Sequence, residues 1–312
     1  MTFKKVAKSL GSALLYFGIY FAWQFIVVFW AMFGVMMAMS FQAGAEMGAE
    51  MAHSGVEYSY EDIMNNSAAL EADIAVEAGE FILRYAVHLT ALAGVLTIIT
   101  YIVMFKMRRK KFTEEVGLTR LAPLRGIGMF LLGIALNFAT TFILSVIPFP
   151  KAWWDEYNAQ ASAMVETDLW ATVVLSVIVA PILEEIVFRG LVHTRLKRCM
   201  PMLAAMIVSA WLFGVMHGAM IWFIYASVFG FVLAWVYEKY KSLLAPILLH
   251  LGFNLCGTVM SELETVPFVV CIIATLVSIG GIFYVQLTSK NKIEFMLPKE
   301  EAPASNDGVG EE

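Results

Sequence analysis

The stretch Val179-Ala180-Pro181-Ile182-Leu183-Glu184-Glu185-Ile186-Val187-Phe188-Arg189-Gly190 sets two carboxylates and a guanidinium inside an otherwise apolar run. A charged side chain at the centre of a membrane helix costs about 2.5–3.5 kcal/mol on insertion scales, so such residues are candidates for function. Glu185 and Arg189 stand four apart, share a helix face and can pair, with the glutamate on the favourable N-terminal side. Glu184 is turned about 100° from Glu185, and the places three and four residues on hold Val187 and Phe188. Its partner must come from another element. Of the five histidines, His217 ends Phe213-Gly214-Val215-Met216-His217, and His250 opens His250-Leu251-Gly252-Phe253-Asn254. Carboxylate, imidazole and amide in one apolar pocket can take a proton from water and hold a developing oxyanion.

These residues need a scaffold, and the composition says which kind. Of the 312 residues, 60% are hydrophobic and only 15% charged, far from the roughly 45–50% and 25% of soluble domains. A mean hydropathy of +0.74 leaves too little polar surface for a water-soluble particle. Crossing about 30 Å of hydrocarbon takes about 20 helical residues. Eight apolar runs approach or exceed that length: 10–39, 81–105, 126–148, 169–192, 202–218, 219–238, 243–261 and 267–288. The fifth and sixth form one stretch, split at His217-Gly218. The expected fold is an all-α, polytopic transmembrane bundle of about eight spans.

With eight spans, 18 of the 21 Lys and Arg fall on one side, in the segments around Lys4, Lys106 to Arg125, Arg195 to Arg198, Lys239 to Lys241 and Lys290 to Lys299. The positive-inside rule makes that side, and both termini, cytoplasmic. The opposite connections are acidic: 41–80 holds nine Asp and Glu and no Lys or Arg, and 261–266 holds Glu262 and Glu264. A hairpin turning near Met200-Pro201 brings Glu184 level with His217. His250 lies roughly 13 Å in from the basic segment at Lys241, with Asn254 one turn deeper on the same face. The cluster is expected to open toward the cytoplasm.

The rest of the chain carries less chemistry. The first run is too long for a signal peptide and reads as a retained helix. Segment 41–80 reads as an amphipathic surface helix or an external loop, and 298–312 as a disordered tail. Arg84 and His88 suit the outer interface, while Gln24 and Asn137 suit bonds between helices. Cys199, Cys256 and Cys271 form no zinc, redox or disulfide pattern, and a net charge of −5 argues against nucleic-acid partners. Three regions follow: 1–165 with spans one to three, a core over 166–265, and the last span with its tail over 266–312.

The order E-E-x-x-x-R, F-x-x-x-H, H-x-x-x-N, standing here as Glu184-Glu185 to Arg189, Phe213 to His217 and His250 to Asn254, resembles the CAAX-processing and bacteriocin-processing (CPBP, Abi) intramembrane proteases. These are relatives of the type II CAAX prenyl endopeptidase, and the likeness covers roughly 165–265. It implies peptide-bond hydrolysis in a bacterial plasma membrane, on a membrane-associated or lipid-linked peptide. Glu184 and His217 would then be the base pair and His250 and Asn254 the electrophilic donors, with Glu185-Arg189 orienting Glu184. No cofactor is needed for this chemistry, but His217, His250 and Glu184 are also a His₂Glu set that suits Zn²⁺, and the sequence does not separate the two. A non-catalytic scaffold or transporter using the same cluster for an ion or a partner helix is the competing reading.

Overall fold

The computed structural model describes residues 2–54, 59–165, 169–261, 263 and 267–289. Among them there is no strand, and the chain is an all-α bundle. Helices α1 (Phe3–Ser54), α2 (Tyr60–Arg84) and α3 (Ala86–Met107) are followed by a single turn, α4 (Phe112–Glu115), then by α5 (Pro123–Val146) and α6 (Lys151–Val165). The central helix, α7, begins at Leu169–Thr172, widens into a π-helical stretch (Val173–Val179), tightens over Ala180–Glu185, widens again (Ile186–His193) and ends with Thr194–Leu196. After it come α8 (Met202–Val215), α9 (Met220–Tyr240), α10 (Leu244–Ser261) and α11 (Phe268–Thr288).

Six of these helices are long and apolar enough to cross a membrane, namely α1, α3, α5, α9, α10 and α11, and α8 is a shorter apolar helix. The protein is a multi-pass integral membrane protein. The predicted split at His217-Gly218 falls where α8 ends and α9 begins, and Gly218 takes φ +77°, a turn conformation that a side chain would strain. Segment 41–80 is helical where it is described apart from Ser59: α1 continues to Ser54 and α2 begins at Tyr60. Its Ala, Glu and Met are strong helix formers. At 1.5 Å per residue, the 52 residues of α1 run to about 78 Å, far more than a bilayer needs. Glu57, Glu262, Glu264 and the tail from 290 onward, with 298–312 in it, lie outside the described residues.

Small residues set the closest helix crossing. Gly133 of α5 lies against the backbone of Leu249, and Gly252 of α10 against that of Phe130, so a Cβ at either would collide with main chain. Such crossings are how helices associate in lipid, where apolar side chains gain nothing by leaving a solvent that is itself apolar.

Three of the basic segments, Lys106 to Arg125, Arg195 to Arg198 and Lys239 to Lys241, meet at one end of the bundle, and a polar lattice closes it. The backbone N–H of Leu243 donates to the Gly117 carbonyl at 3.0 Å. Thr119 Oγ1 donates to the Lys241 carbonyl at 2.9 Å and Ser242 Oγ to the Thr119 carbonyl at 2.7 Å. Arg195 pairs with Glu115 of α4. Burial raises the Glu115 carboxyl, but the Lys110 hydrogen bond and the charges of Arg195, Lys110 and Arg198 outweigh it and hold the group below the usual range. Deeper at the same end, the fully buried Glu238 of α9 accepts from His193 Nε2 at 2.9 Å and from Lys197 Nζ at 2.6 Å, and also pairs with Lys241.

Candidate active site

The site is built on a defect in α7. Pro181 has no N–H to give the carbonyl five residues back, that of Ser176, in the widened register of this helix. That carbonyl accepts instead from Asn254 Nδ2 of α10 at 2.9 Å. The proline thus ties α10 to α7 and fixes the Asn254 amide, leaving one of its two N–H groups and its Oδ1 for other partners.

Two turns on, Arg189 is completely buried and contacts three elements. Its Nη1 donates to Glu185 Oε1 at 2.7 Å and its Nη2 to the Gly230 carbonyl of α9 at 2.9 Å. Its guanidinium carbon lies 4.4 Å from the centre of the Phe213 ring. Gly230 permits this approach: a Cβ there would sit 3.1 Å from Nη2 and 3.0 Å from the Phe213 ring. Glu185 Oε1 also accepts from His250 Nδ1 at 3.0 Å. The sequence reading has the Glu185-Arg189 brace acting on Glu184. In the structure its direct hydrogen bond is to His250.

That bond sets the chemistry of His250. With Nδ1–H given to a carboxylate, Nε2 is left pointing toward Glu184, whose Oε2 is 3.8 Å away. The ring is held edge-on between Phe213 and Phe229, with centroids at 5.8 and 5.3 Å. His217 is fixed in a similar way. Its Nδ1 lies 2.9 Å from the Phe213 carbonyl. A carbonyl can only accept, so Nδ1 carries the proton and Nε2 is left as the free base.

Glu184, His217, His250 and Asn254 all line one cavity of about 840 Å³. Glu185 and Arg189 lie behind its wall, fully buried. No hydrogen bond joins Glu184 to His217; they share the cavity, and the nearest ion-pair partner of Glu184 is His250. For the Zn²⁺ alternative, no group of three His, Cys, Asp or Glu side chains among the described residues is gathered closely enough to hold a metal. As arranged, Glu184, His217 and His250 do not fit one, and no step below passes through a metal.

The cavity does not open where the sequence reading has it. Its walls come from the first turns of α3 (Ala86 to Gly94), the last turns of α5 (Asn137 to Leu144), Tyr157 and Ala161 of α6, and the end of α10 as far as Ser261. On α3, α5 and α10 these residues lie at the helix end remote from the basic segments. The basic end is closed by the lattice around Glu115 and Glu238. A pocket at that end, of about 190 Å³, is apolar and holds none of the cluster. The sequence reading has the cluster opening toward the basic end; the cavity instead extends from the EExxxR helix toward the other end of the bundle.

Two groups of residues were not legible as functional. Tyr20 and Gln24 of α1 line the same cavity as Glu184. No motif marks Tyr20, although Gln24 also reaches the Thr90 carbonyl at 3.5 Å, as an interhelical role requires. The His193-Glu238-Lys197 set had a signal. Glu185, Arg189, His193 and Lys197 recur every four residues, a polar ladder along one face of α7.

Comparison with known proteins bears on this core. Residues 166–256 match the family described as Type II CAAX prenyl endopeptidase Rce1-like, which agrees with the CPBP resemblance read from the motifs. A relative from Bacillus subtilis (strain 168), named "Putative membrane peptidase YdiL", is 32% identical over 109 residues, which are 35% of this chain and 44% of that protein. The chain thus spans less than half the length of this relative. No solved structure matches.

Proposed function

From a segment whose sequence resembles membrane endopeptidases, we propose that this protein hydrolyses a peptide bond of a membrane-associated or lipid-linked peptide, using water activated by Glu184 and His217. One observation carries the proposal. Glu184, His217, His250 and Asn254, from three separate parts of the chain, converge on a single cavity inside a membrane bundle. Lipid alone would exclude polar side chains from such a place unless they acted together.

In this mechanism the carboxylate of Glu184, assisted by Nε2 of His217, takes a proton from water as its oxygen bonds to the scissile carbonyl carbon. A carboxylate in an apolar surround is a stronger base than one in water. The carbonyl oxygen becomes an oxyanion and accepts from the remaining Asn254 N–H and from His250 when its Nε2 is protonated. Each such donor is worth about 10²–10³ in rate. The carbon–nitrogen bond then breaks, and the proton held by Glu184 passes to the leaving amine. Glu185 and Arg189 act through His250, holding its ring in one orientation.

The test compares membrane peptides of cells carrying the wild type with those of cells carrying Glu184→Gln. New peptide termini are expected only with the wild type. Turnover of any such peptide by purified Glu184→Gln would end the assignment, and no prenyl requirement is part of it.

A further inference from the structure

Taking the protease reading as given, we infer that the site takes its substrates from the extracytoplasmic side, as polypeptides anchored in the membrane whose scissile bond lies at or just below the outer interface. The inference rests on three features, none of which uses the identity of the catalytic residues.

The first is the direction of the cavity. Along α10 it extends from His250 to Ser261, about 16 Å of helix away from the basic segment at Lys241. On α3 and α5 the lining lies at the ends away from Lys106 and Arg125. The second is charge. Fifteen of the 18 Lys and Arg among the described residues belong to the start of α1 or to the segments at the closed end. Since positively charged segments are retained in the cytoplasm, the closed end faces inward and the mouth outward.

The third is α6. Trp153, Trp154 and Tyr157 are half-buried, while Asp155, Glu156 and Asn158 are exposed, the pattern of a helix lying in an interface. Phe149 lies tilted against the Trp153 ring at 6.0 Å and edge-on to the Trp154 ring at 6.2 Å, and Tyr157 meets the Trp222 ring edge-on at 5.8 Å. Tyr157 and Ala161 are also cavity wall. Gln160 comes close to Gly218, in the turn that carries His217. An interfacial aromatic helix therefore borders the mouth and leads, one turn on, to the catalytic turn. A peptide anchored by its own helix reaches the mouth along that interface. A lipid-modified tail in the cytosol meets the closed lattice of Glu115 and Glu238 instead.

The test uses the full chain with Cys199, Cys256 and Cys271 replaced by alanine, and then a single new thiol at Ala161→Cys, Thr258→Cys or, on the opposite end, Thr113→Cys. With a membrane-impermeant maleimide on intact spheroplasts, the first two are expected to label as fully as after lysis, and the third only after lysis. Labelling of Thr113→Cys alone in intact cells overturns the inference, as does failure of both cavity positions to label even in detergent. A second reading comes from the positions of termini that depend on Glu184. Extracytoplasmic, juxtamembrane termini support the inference and cytoplasmic ones overturn it. If no such termini exist, the protease reading fails, while the labelling still reports on which side the cavity opens.

Discussion

Two clusters on α7 are made of nearly the same parts. Toward its middle, Glu184, Glu185 and Arg189 meet His250; toward its end, His193 and Lys197 meet Glu238. Each combines carboxylate, imidazole and cation in apolar surroundings. They differ in what lies beside them. The first borders a cavity of about 840 Å³ and has an imidazole nitrogen 3.8 Å from a carboxylate with no direct bond between them. In the second, Glu238 is saturated by His193, Lys197 and Lys241, and its side chain has no exposed surface. Residue types alone do not make a reactive site. A reactive site keeps donors and acceptors unspent and adjacent to space, whereas a structural one satisfies them on each other.

The contrast breaks most readily through activity. Glu184→Gln is expected to lower turnover by about 10²–10⁴ with normal abundance in the membrane, as measured by initial rates and quantitative blotting. Comparable activity in the variant would mean that the cavity cluster is no more reactive than its neighbour. Next in size is Arg189→Ala, which strands Glu185 without its buried counter-charge and should cost about 3–5 kcal/mol of stability. Accumulation should fall, and the double substitution Arg189→Ala with Glu185→Ala should recover part of it. If the double variant accumulates no better than the single, the pair is not what fails.

Glu238→Gln sharpens the comparison from the other side. It keeps the shape but removes the charge that His193, Lys197 and Lys241 address, so thermal stability in detergent should drop by about 2–3 kcal/mol. The kcat of the surviving protein should stay within twofold or so, since Glu238 is outside the cavity. A kcat loss as large as that of Glu184→Gln would make the two clusters one site. Tyr20→Phe removes a single oxygen while the ring keeps its edge contact with Phe188 at 5.8 Å. A fall of about tenfold in kcat, or 1.4 kcal/mol, with KM unchanged is expected if the phenol helps to position Glu184. Unchanged kcat would assign Tyr20 to packing.

The smallest effect concerns the closed end. The Glu115 carboxyl is held below its ordinary value of 4.5 in the folded protein. A depressed carboxylate contributes stability that is fully present above that ordinary value and is lost as pH falls through the folded one. Melting temperatures from pH 7 down to pH 3 should therefore converge for wild type and Glu115→Gln toward the acid end, with the wild type's lead complete above about pH 4.5 and shrinking below it. Parallel curves would show that Arg195 and Lys110 do not hold this carboxylate.

Much of this was written in local spacing. Composition and run length gave an all-α membrane bundle, and Gly218 marked the turn between α8 and α9. The four-residue step from Glu185 to Arg189 gave their pair, because residues that close on one helix meet whatever surrounds them. Asn254 was legible as a polar group in a span, but its bond to the Ser176 carbonyl depends on a proline 73 residues earlier in the chain. Tyr20 looked like one more aromatic in an apolar run, since nothing local distinguishes a phenol that faces a cavity from one that faces a helix. Glu238 stands beside the basic pair Lys239 and Lys241, and only its three partners show it as the centre of a buried lattice.

The sequence by itself therefore determined which side chains are candidates for chemistry, which of them pair within a helix, and which end of the bundle is basic, because these follow from residue type and spacing along one helix. Tertiary structure alone decided that Glu185 holds His250 and that Tyr20 joins the site. It also decided that the cavity opens away from the basic end. Empty space is a property of how several helices fail to fill a volume, and each wall of this cavity comes from a different stretch of chain, so no single stretch records where the space is left.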